Sequence, residues 1–254
     1  MAAPALVALA HASRDPRTTS TIAALVDEVK SQRPDLRVER AFLEDPAIPA
    51  RSSKPAFQSV VDRLVKAGHD EIVVVPLLLS EATPGYAGIG EAVAAAATRH
   101  PGLRIRCSAI LGLEACFLEV LDERLREALK ESRVRELDAL VLAATGSTDS
   151  LANQSVARLA RLWGTHHKLP VTAAFAASAP PATGEAVRTF RAEGRRHIAV
   201  ASLFLTPGAL TDRASELALE ASAVAISEPL GAHPEVARTV LARYAVGAVE
   251  LVPV

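Results

Sequence analysis

The sequence contains two copies of the same pattern, and this repeat constrains the fold more than any other feature. Residues 6–15 form an apolar run that ends in a histidine, a serine and a charged pair, and residues 140–149 match them position by position. Later segments of the two halves match in the same order. A duplicated unit explains such an ordered repeat. We predict two domains, residues 1–132 and residues 133–254.

Each copy alternates apolar strands with amphipathic helices. Residues 72–79 form a long apolar run typical of a fully buried strand. Residues 18–33 carry apolar side chains at the spacing of one helix face, at Ile22, Leu25, Val26 and Val29. Regular alternation of strands and helices implies right-handed crossovers and a parallel sheet. The predicted fold class is α/β, with two tandem domains that each contain a parallel β-sheet flanked by helices.

Composition excludes several classes of partner. The chain has 28 basic and 29 acidic residues and no basic tract, so nothing supports nucleic-acid binding. The two cysteines are too few for a disulfide framework or a cysteine-based metal site. The first apolar stretch ends at His11, too early for a signal core or a membrane span. We expect a cytoplasmic protein without a membrane partner.

Polar residues follow the predicted strands in the first copy but not in the second. In an open parallel sheet, ligands bind at the carboxyl ends of the strands. The first copy places His11, Glu44 and Glu81 at these ends, with Tyr86 nearby. The second copy has Thr145, Ala177 and Pro207 at the corresponding positions. Imidazole and carboxylate groups suit a divalent first-row metal, or an acid/base pair, so the predicted site lies in the first copy.

These motifs resemble the two-domain sirohydrochlorin chelatases, the CbiX/SirB-like members of the class II chelatase family. The resemblance covers nearly the whole chain and rests on residues 10–15, 41–44, 74–79 and 230–234. It implies a lyase-type enzyme that inserts a divalent metal, Co²⁺ or Fe²⁺, into sirohydrochlorin. The macrocycle would bind in the cleft between the two domains, with the second, degenerate copy closing over it.

The resemblance also implies roles for individual residues. His11 would bind the metal and accept a pyrrole proton, and Glu44 would assist as the second catalytic residue. The implied metal ligands are His11, Glu44 and Glu81. The expected substrate-binding residues are Ser13, Arg14, Ser80, Tyr86, Thr145, Thr206 and Arg213. Arg14, Arg213 and Arg51 are the cations expected to meet the substrate carboxylates, because guanidinium groups bind carboxylates bidentately.

One departure from the family pattern lies in the loop after the third strand. The family has a second histidine there, whereas residues 80–88 contain none. The corresponding position is Pro84, or Ala87 if the Gly-Tyr pair is aligned. Glu81 is the best substitute in this loop, although a carboxylate is a poorer proton acceptor than imidazole. The remaining histidines are predicted to be structural or surface residues: His69, His100, His166, His167, His197 and His233.

Two further interpretations keep the same fold. In one, His11 and Glu44 act as an acid/base pair on another acidic small molecule, without metal insertion. In the other, the protein is a non-enzymatic carrier of a tetrapyrrole or a metal. In every case we expect a small-molecule partner, a tetrapyrrole or another polycarboxylate. We also expect a monomer, because one chain already contains the pseudo-twofold pair of domains.

Overall fold

The computed structural model describes residues 3–45, 54–83 and 86–251. The first seven elements are β1 (Ala5–His11), α1 (Pro16–Gln32), β2 (Val38–Leu43), α2 (Phe57–Lys66), β3 (Glu71–Pro76), α3 (Tyr86–Arg99) and β4 (Arg104–Cys107). The next eight are α4 (Phe117–Glu131), β5 (Ala139–Ala144), α5 (Ser150–His167), β6 (Val171–Phe175), α6 (Thr183–Ala192), β7 (Ile198–Ser202), α7 (Ala209–Glu220) and β8 (Ala225–Ile226). Helix α8 (Pro234–Val249) follows them. Within the described segments, no helix combines the length and the apolar character needed to cross a membrane.

Each copy of the repeat forms a four-stranded parallel sheet. The first sheet has the order β2-β1-β3-β4, and the second has the equivalent order β6-β5-β7-β8. All neighbouring strands pair in parallel. These two sheets, flanked by helices, confirm the predicted α/β fold with an internal duplication.

The compact units do not coincide with the predicted domains. One unit combines Met1–Gly112 with Ala232–Val254, and the other is Leu113–Gly231. Helix α8 packs on α1 and β3 of the first unit, while α4 packs on β7 and β8 of the second. The predicted domains, residues 1–132 and 133–254, follow the sequence repeat and stay a prediction. An amphipathic helix shows in its sequence which face is buried, but not which sheet buries it.

Close packing fixes α8 on the first sheet. A Cβ atom built on Gly247 would lie 2.7 Å from a Val73 side-chain atom, so only glycine allows this approach of helix to strand. The Tyr244 hydroxyl donates a hydrogen bond of 2.7 Å to the Pro4 carbonyl. Arg243 donates to the carbonyls of Ile110 and Leu111, each at 2.8 Å. The first sheet therefore depends on a helix that lies more than a hundred residues later in the chain.

Strand β1 lies at the centre of the first sheet and is buried along almost its whole length. Ala5, Val7 and Leu9 belong to one core cluster with Phe57 and Val60 of α2. Burial ends at His11, the last residue of the strand, whose side chain is 30% exposed. The apolar run thus delivers one polar side chain to the carboxyl edge of the sheet.

Candidate functional site

The carboxyl ends of three neighbouring strands meet beside His11. In the ladder between β1 and β2, His11 pairs with Leu43, the last residue of β2. In the ladder between β1 and β3, Leu9 pairs with Pro76, the last residue of β3. The Ala12 amide continues the first ladder by donating to the Leu43 carbonyl at 3.2 Å. Residues that directly follow β2 and β3 therefore start at the same edge as His11.

The two ring nitrogens of His11 have different surroundings. Nδ1 lies 2.9 Å from the Ala12 carbonyl oxygen. Because a carbonyl oxygen only accepts, Nδ1 carries a proton in this hydrogen bond, and in the neutral ring Nε2 presents its lone pair. Nε2 faces Asp45, whose Oδ2 lies 3.8 Å away. Metal-binding histidines usually have this arrangement, with one ring N–H held by a carbonyl and the other nitrogen available.

Asp45 is the carboxylate that sequence reasoning missed. Side chains alternate along a strand, so Asp45 lies on the same side of its segment as Leu43, the partner of His11. Glu44 is the intervening residue and is exposed. The signal that could have found Asp45 is the strand register, because a pairing of His11 with Leu43 places the second residue after Leu43 beside the imidazole.

An apolar surface surrounds the His11 ring. The small pocket at this edge is lined by Leu9, Ala10, His11, Leu43, Leu78 and Ile89. Apolar neighbours lower the local dielectric and so strengthen an interaction between an imidazole, a carboxylate and a cation. The pocket offers one imidazole as its polar group, and the carboxylates come from the segments that follow the strands.

Glu81 and Tyr86 are brought together beyond β3. Partial burial raises the pKa of the Tyr86 hydroxyl, and the negative charge of Glu81 and the hydrogen bond between the two side chains raise it further. The Tyr86 side chain, at the start of α3, thus lies near the Glu81 carboxylate. Among the residues that the structure describes, no cluster of three ligand atoms within 4.8 Å of one another includes His11. The metal-binding role of His11, Glu44 and Glu81 stays a prediction.

The serines predicted to bind substrate shape the turns at this edge. Ser13 Oγ accepts from the Asp15 amide and from the Thr18 hydroxyl, both at 3.1 Å. Ser80 Oγ accepts from the Ala82 amide at 3.2 Å. Arg14 is exposed next to the first turn. These contacts order the segments after β1 and β3, and the role of Ser13, Arg14 and Ser80 toward a substrate stays a prediction.

The corresponding edge of the second sheet keeps the turn but has Thr145 in place of the histidine. Thr145 directly follows β5, and the Ser147 hydroxyl accepts from the Asp149 amide at 3.0 Å, as Ser13 does for Asp15. Gly146 has a φ of +85°, and a Cβ atom there would overlap the Ala177 carbonyl oxygen.

The structure also describes Thr206 and Arg213, the other two residues of the second unit that were predicted to bind substrate. Their roles stay predictions. The Thr206 carbonyl accepts from the Thr211 hydroxyl at 3.2 Å, and Arg213 is exposed on α7. Arg51 and Pro84 lie outside the described residues.

Most of the remaining histidines have structural partners. His100 Nε2 donates to Asp62 at 2.7 Å, and His167 Nε2 donates to Asp122 at 2.7 Å. His197 lies 3.5 Å from Asp138. His233 caps α8 by accepting from the Glu235 amide at 3.1 Å. None of these contacts lies at the carboxyl edge of the first sheet.

Solved structures with the same fold include two from Bacillus. SirB from Bacillus subtilis with Fe³⁺ is 24% identical, with a TM-score of 0.78 over 98% of this chain and 96% of that one. The cobalt complex of SirB from Bacillus subtilis subspecies spizizenii has a TM-score of 0.73 over the same shares. A structure of CbiX, described as the terminal enzyme of siroheme biosynthesis in denitrifying bacteria, is 20% identical with a TM-score of 0.67. These likenesses establish the fold.

Two curated proteins are similar in sequence. A sirohydrochlorin cobaltochelatase of Priestia megaterium is 25% identical over 214 residues, which is 82% of this chain and 66% of the relative. A sirohydrochlorin ferrochelatase of Bacillus subtilis (strain 168) is 26% identical over 161 residues, 62% of this chain and 57% of the relative. The matched region thus spans less than two thirds of each relative's own length, 66% of the first and 57% of the second.

A protein-family model matches both copies of the repeat. The matched residues are 5–128 and 139–246, which include β1 and β2 with His11 in the first copy and the equivalent strands in the second. The two segments together cover most of the sequence, and the predicted repeat boundary lies in the interval between them. The chain belongs to the CbiX family.

Proposed function

We propose that the protein is a chelatase that inserts Co²⁺ or Fe²⁺ into sirohydrochlorin at the carboxyl edge of its first sheet. Membership of the CbiX family and the names of the two curated relatives support this reaction. The observation that carries the proposal is the His11 ring, with Nδ1 bonded to the Ala12 carbonyl and Nε2 facing Asp45.

The incoming metal is a substrate and needs only a weak site. His11 Nε2 and the Asp45 carboxylate form a mixed nitrogen and oxygen pair that suits Co²⁺ or Fe²⁺. Glu44 and Glu81 are the predicted additional ligands from the segments after β2 and β3. A site with few protein ligands holds the ion loosely, and this allows transfer to the four nitrogens of a macrocycle.

Metal insertion also requires the removal of two protons from pyrrole nitrogens. When the metal–Nε2 bond of His11 breaks and a metal–pyrrole bond forms, the Nε2 lone pair becomes free to accept the proton from a pyrrole N–H. A carboxylate, Asp45 or Glu44, accepts the second proton. Imidazole is suited to this role because it titrates close to neutral pH in proteins. One ring nitrogen thus serves first as ligand and then as base.

Acidic substituents on the substrate would meet cations near this edge. Arg14 is exposed directly after β1, three residues from His11. A guanidinium group binds a carboxylate through two parallel hydrogen bonds. We propose that Arg14 orients the macrocycle by one of its carboxylates, while Tyr86 and Glu81 border the site on the side of β3.

Absorption spectroscopy tests the proposed reaction. Purified full-length protein is incubated with sirohydrochlorin and Co²⁺ or Fe²⁺, and the spectral change on metal insertion is followed against a protein-free control. We expect insertion to be faster than this background. His11→Ala should abolish the acceleration, whereas His197→Ala, at an exposed histidine just before β7, should leave it unchanged.

Two outcomes would contradict the proposal. A wild-type rate equal to the background would rule out chelatase activity on this substrate. A spectral shift with the pigment alone, without metal and without turnover, would identify a tetrapyrrole carrier instead.

A further inference from the structure

A second set of side chains able to bind a metal lies in the other compact unit, on helices α4 and α5. Asp122 belongs to α4, and His166 and His167 are the last two residues of α5. One ring nitrogen of each histidine and a carboxylate oxygen of Asp122 all lie within 4.8 Å of one another. In the described part of the chain, no other group of three histidine, cysteine or acidic side chains meets this spacing. We propose that these three residues bind a divalent transition-metal ion.

A buried tryptophan holds the carboxylate in place. Trp163 is fully buried, and its Nε1–H donates to Asp122 Oδ1 at 2.6 Å. The His167 Nε2–H donates to the same oxygen at 2.7 Å. The Trp163 and His167 rings also meet edge to face, with centroids 5.4 Å apart. Asp122 and His167 are therefore fixed in position by packing, as an effective metal site requires.

The third ligand separates this cluster from an ordinary ion pair. The His166 ring lies edge to face with His167 at a centroid distance of 5.0 Å, and His166 is exposed. By comparison, the His100 side chain makes the same 2.7 Å contact with Asp62. That pair has no second imidazole within ligand distance among the described residues. The pair of His100 and Asp62 is a matched control within the same molecule.

The chemistry of the three ligand atoms determines which metal ions the proposed site would select. Two imidazole nitrogens and one carboxylate oxygen suit Zn²⁺, Co²⁺, Ni²⁺ or Cu²⁺, whereas Mg²⁺ and Ca²⁺ prefer oxygen ligands alone. Binding requires the ring proton of neutral His167 to move through solvent from Nε2 to Nδ1, so that the Nε2 lone pair faces the ion. With bonds of about 2.0–2.1 Å in a tetrahedral site, the Nε2 and Oδ1 atoms separate to about 3.3 Å. This small opening is available to side chains at the exposed end of a helix.

Trp163 provides a direct measurement, because it is the only tryptophan in the sequence. Untagged full-length protein is titrated with Ni²⁺, a fluorescence quencher, and tryptophan emission is recorded; Zn²⁺ is then added in competition. We expect saturable quenching at one equivalent, reversed by Zn²⁺. His166→Ala should weaken Ni²⁺ affinity at least tenfold, while His100→Ala should leave it unchanged. The exposed position of His166 makes its replacement compatible with folding.

A second variant separates this site from the edge of the first sheet. His11→Ala should retain the full Trp163 response, since the proposed ligands all lie on α4 and α5. Absence of quenching in the wild type would overturn the proposal, as would an unchanged Ni²⁺ affinity in His166→Ala. Loss of the response in His11→Ala would also overturn it, by assigning the ion to the first unit. None of these readouts depends on chelatase activity.

Discussion

The carboxyl edges of the two sheets have the same backbone plan but different chemistry. Both edges turn from the first strand into a helix through a serine and an aspartate, with Ser13 and Asp15 in one and Ser147 and Asp149 in the other. The first edge carries His11, while Thr145 takes its place in the second. The turn is common to both edges and the imidazole is not, so the comparison separates a shared structural feature from the residue to which we assign a function.

The segments that follow β2 and β6 also differ in their side chains, with charged residues after β2 alone. Ala144 pairs with Phe175 in the second sheet as Ala10 pairs with Phe42 in the first. This register makes Ala177 the counterpart of Glu44 and Ser178 the counterpart of Asp45. The second edge therefore lacks the counterparts of the imidazole and of both carboxylates.

Transfer of the histidine from one edge to the other is expected to have the largest effect. His11→Ala should lower the rate of metal insertion by about a hundredfold or more, the usual loss when a general base is removed. Adding Thr145→His should not restore activity, because the second edge has Ser178 where the first has Asp45. Insertion rates measured by absorption check both steps. Recovery of activity in the double variant would show that the two edges are chemically equivalent.

Gly146→Ala is expected to destabilise the second unit. The new Cβ would lie 2.9 Å from Phe175 Cβ and overlap the Ala177 carbonyl oxygen, at a residue with a φ of +85°. A left-handed conformation and this clash should lower the free energy of unfolding by about 2 kcal/mol. The counterpart Ala12→Gly should cost less than about 1 kcal/mol. Denaturant titration measures both, and equal losses would contradict the difference between the two turns.

The two carboxylates after β2 are expected to differ. Asp45→Asn should reduce the insertion rate about tenfold, because Asp45 faces His11 Nε2 at 3.8 Å. Glu44→Gln should reduce the insertion rate less, because we propose that Asp45 forms the main metal-binding pair with His11 and that Glu44 is only an additional ligand. The measurement is the insertion rate at several Co²⁺ concentrations, which separates weaker metal binding from slower transfer. A larger loss in Glu44→Gln would assign the main role to Glu44.

Removal of the two helix caps is expected to have the smallest effect. Asp15 accepts from the Arg17 amide at 2.8 Å, and Asp149 accepts from the Leu151 amide at 2.9 Å. Replacement of either aspartate by alanine should cost about 1 kcal/mol. Unequal losses near neutral pH would show that one turn depends on its cap more than the other.

The Asp15 cap should also depend on pH. Hydrogen bonds from Arg17 lower the pKa of Asp15 below its ordinary value. Its stabilising contribution is therefore complete above the unfolded-state pKa of about 3.9 and is lost as the pH falls through the lower folded-state pKa. Melting temperatures of wild type and Asp15→Ala at pH 7 and in acid should converge as the pH falls. A difference that grew in acid would contradict this origin.

The sequence predicted the order of elements, the repeat and the edge at which His11 lies, because these depend on local hydrophobic patterns. It did not predict Asp45 as the neighbour of His11, because strand register is a property of pairs of segments. The partner sheets of α4 and α8 were missed for a similar reason, since an apolar helix face fits either sheet. Both features depend on contacts between distant segments, which local sequence patterns do not show.

The placement of α8 has a consequence for the order of events during synthesis. The first sheet and its helices emerge from the ribosome early, but α8, which covers α1 and β3, follows the whole of the second unit. Until α8 has been translated, the apolar surface of α1 and β3 that α8 covers in the folded protein therefore stays exposed. A stop codon introduced after residue 132 would release a fragment with that face exposed, a substrate for chaperones and proteases instead of an independent domain.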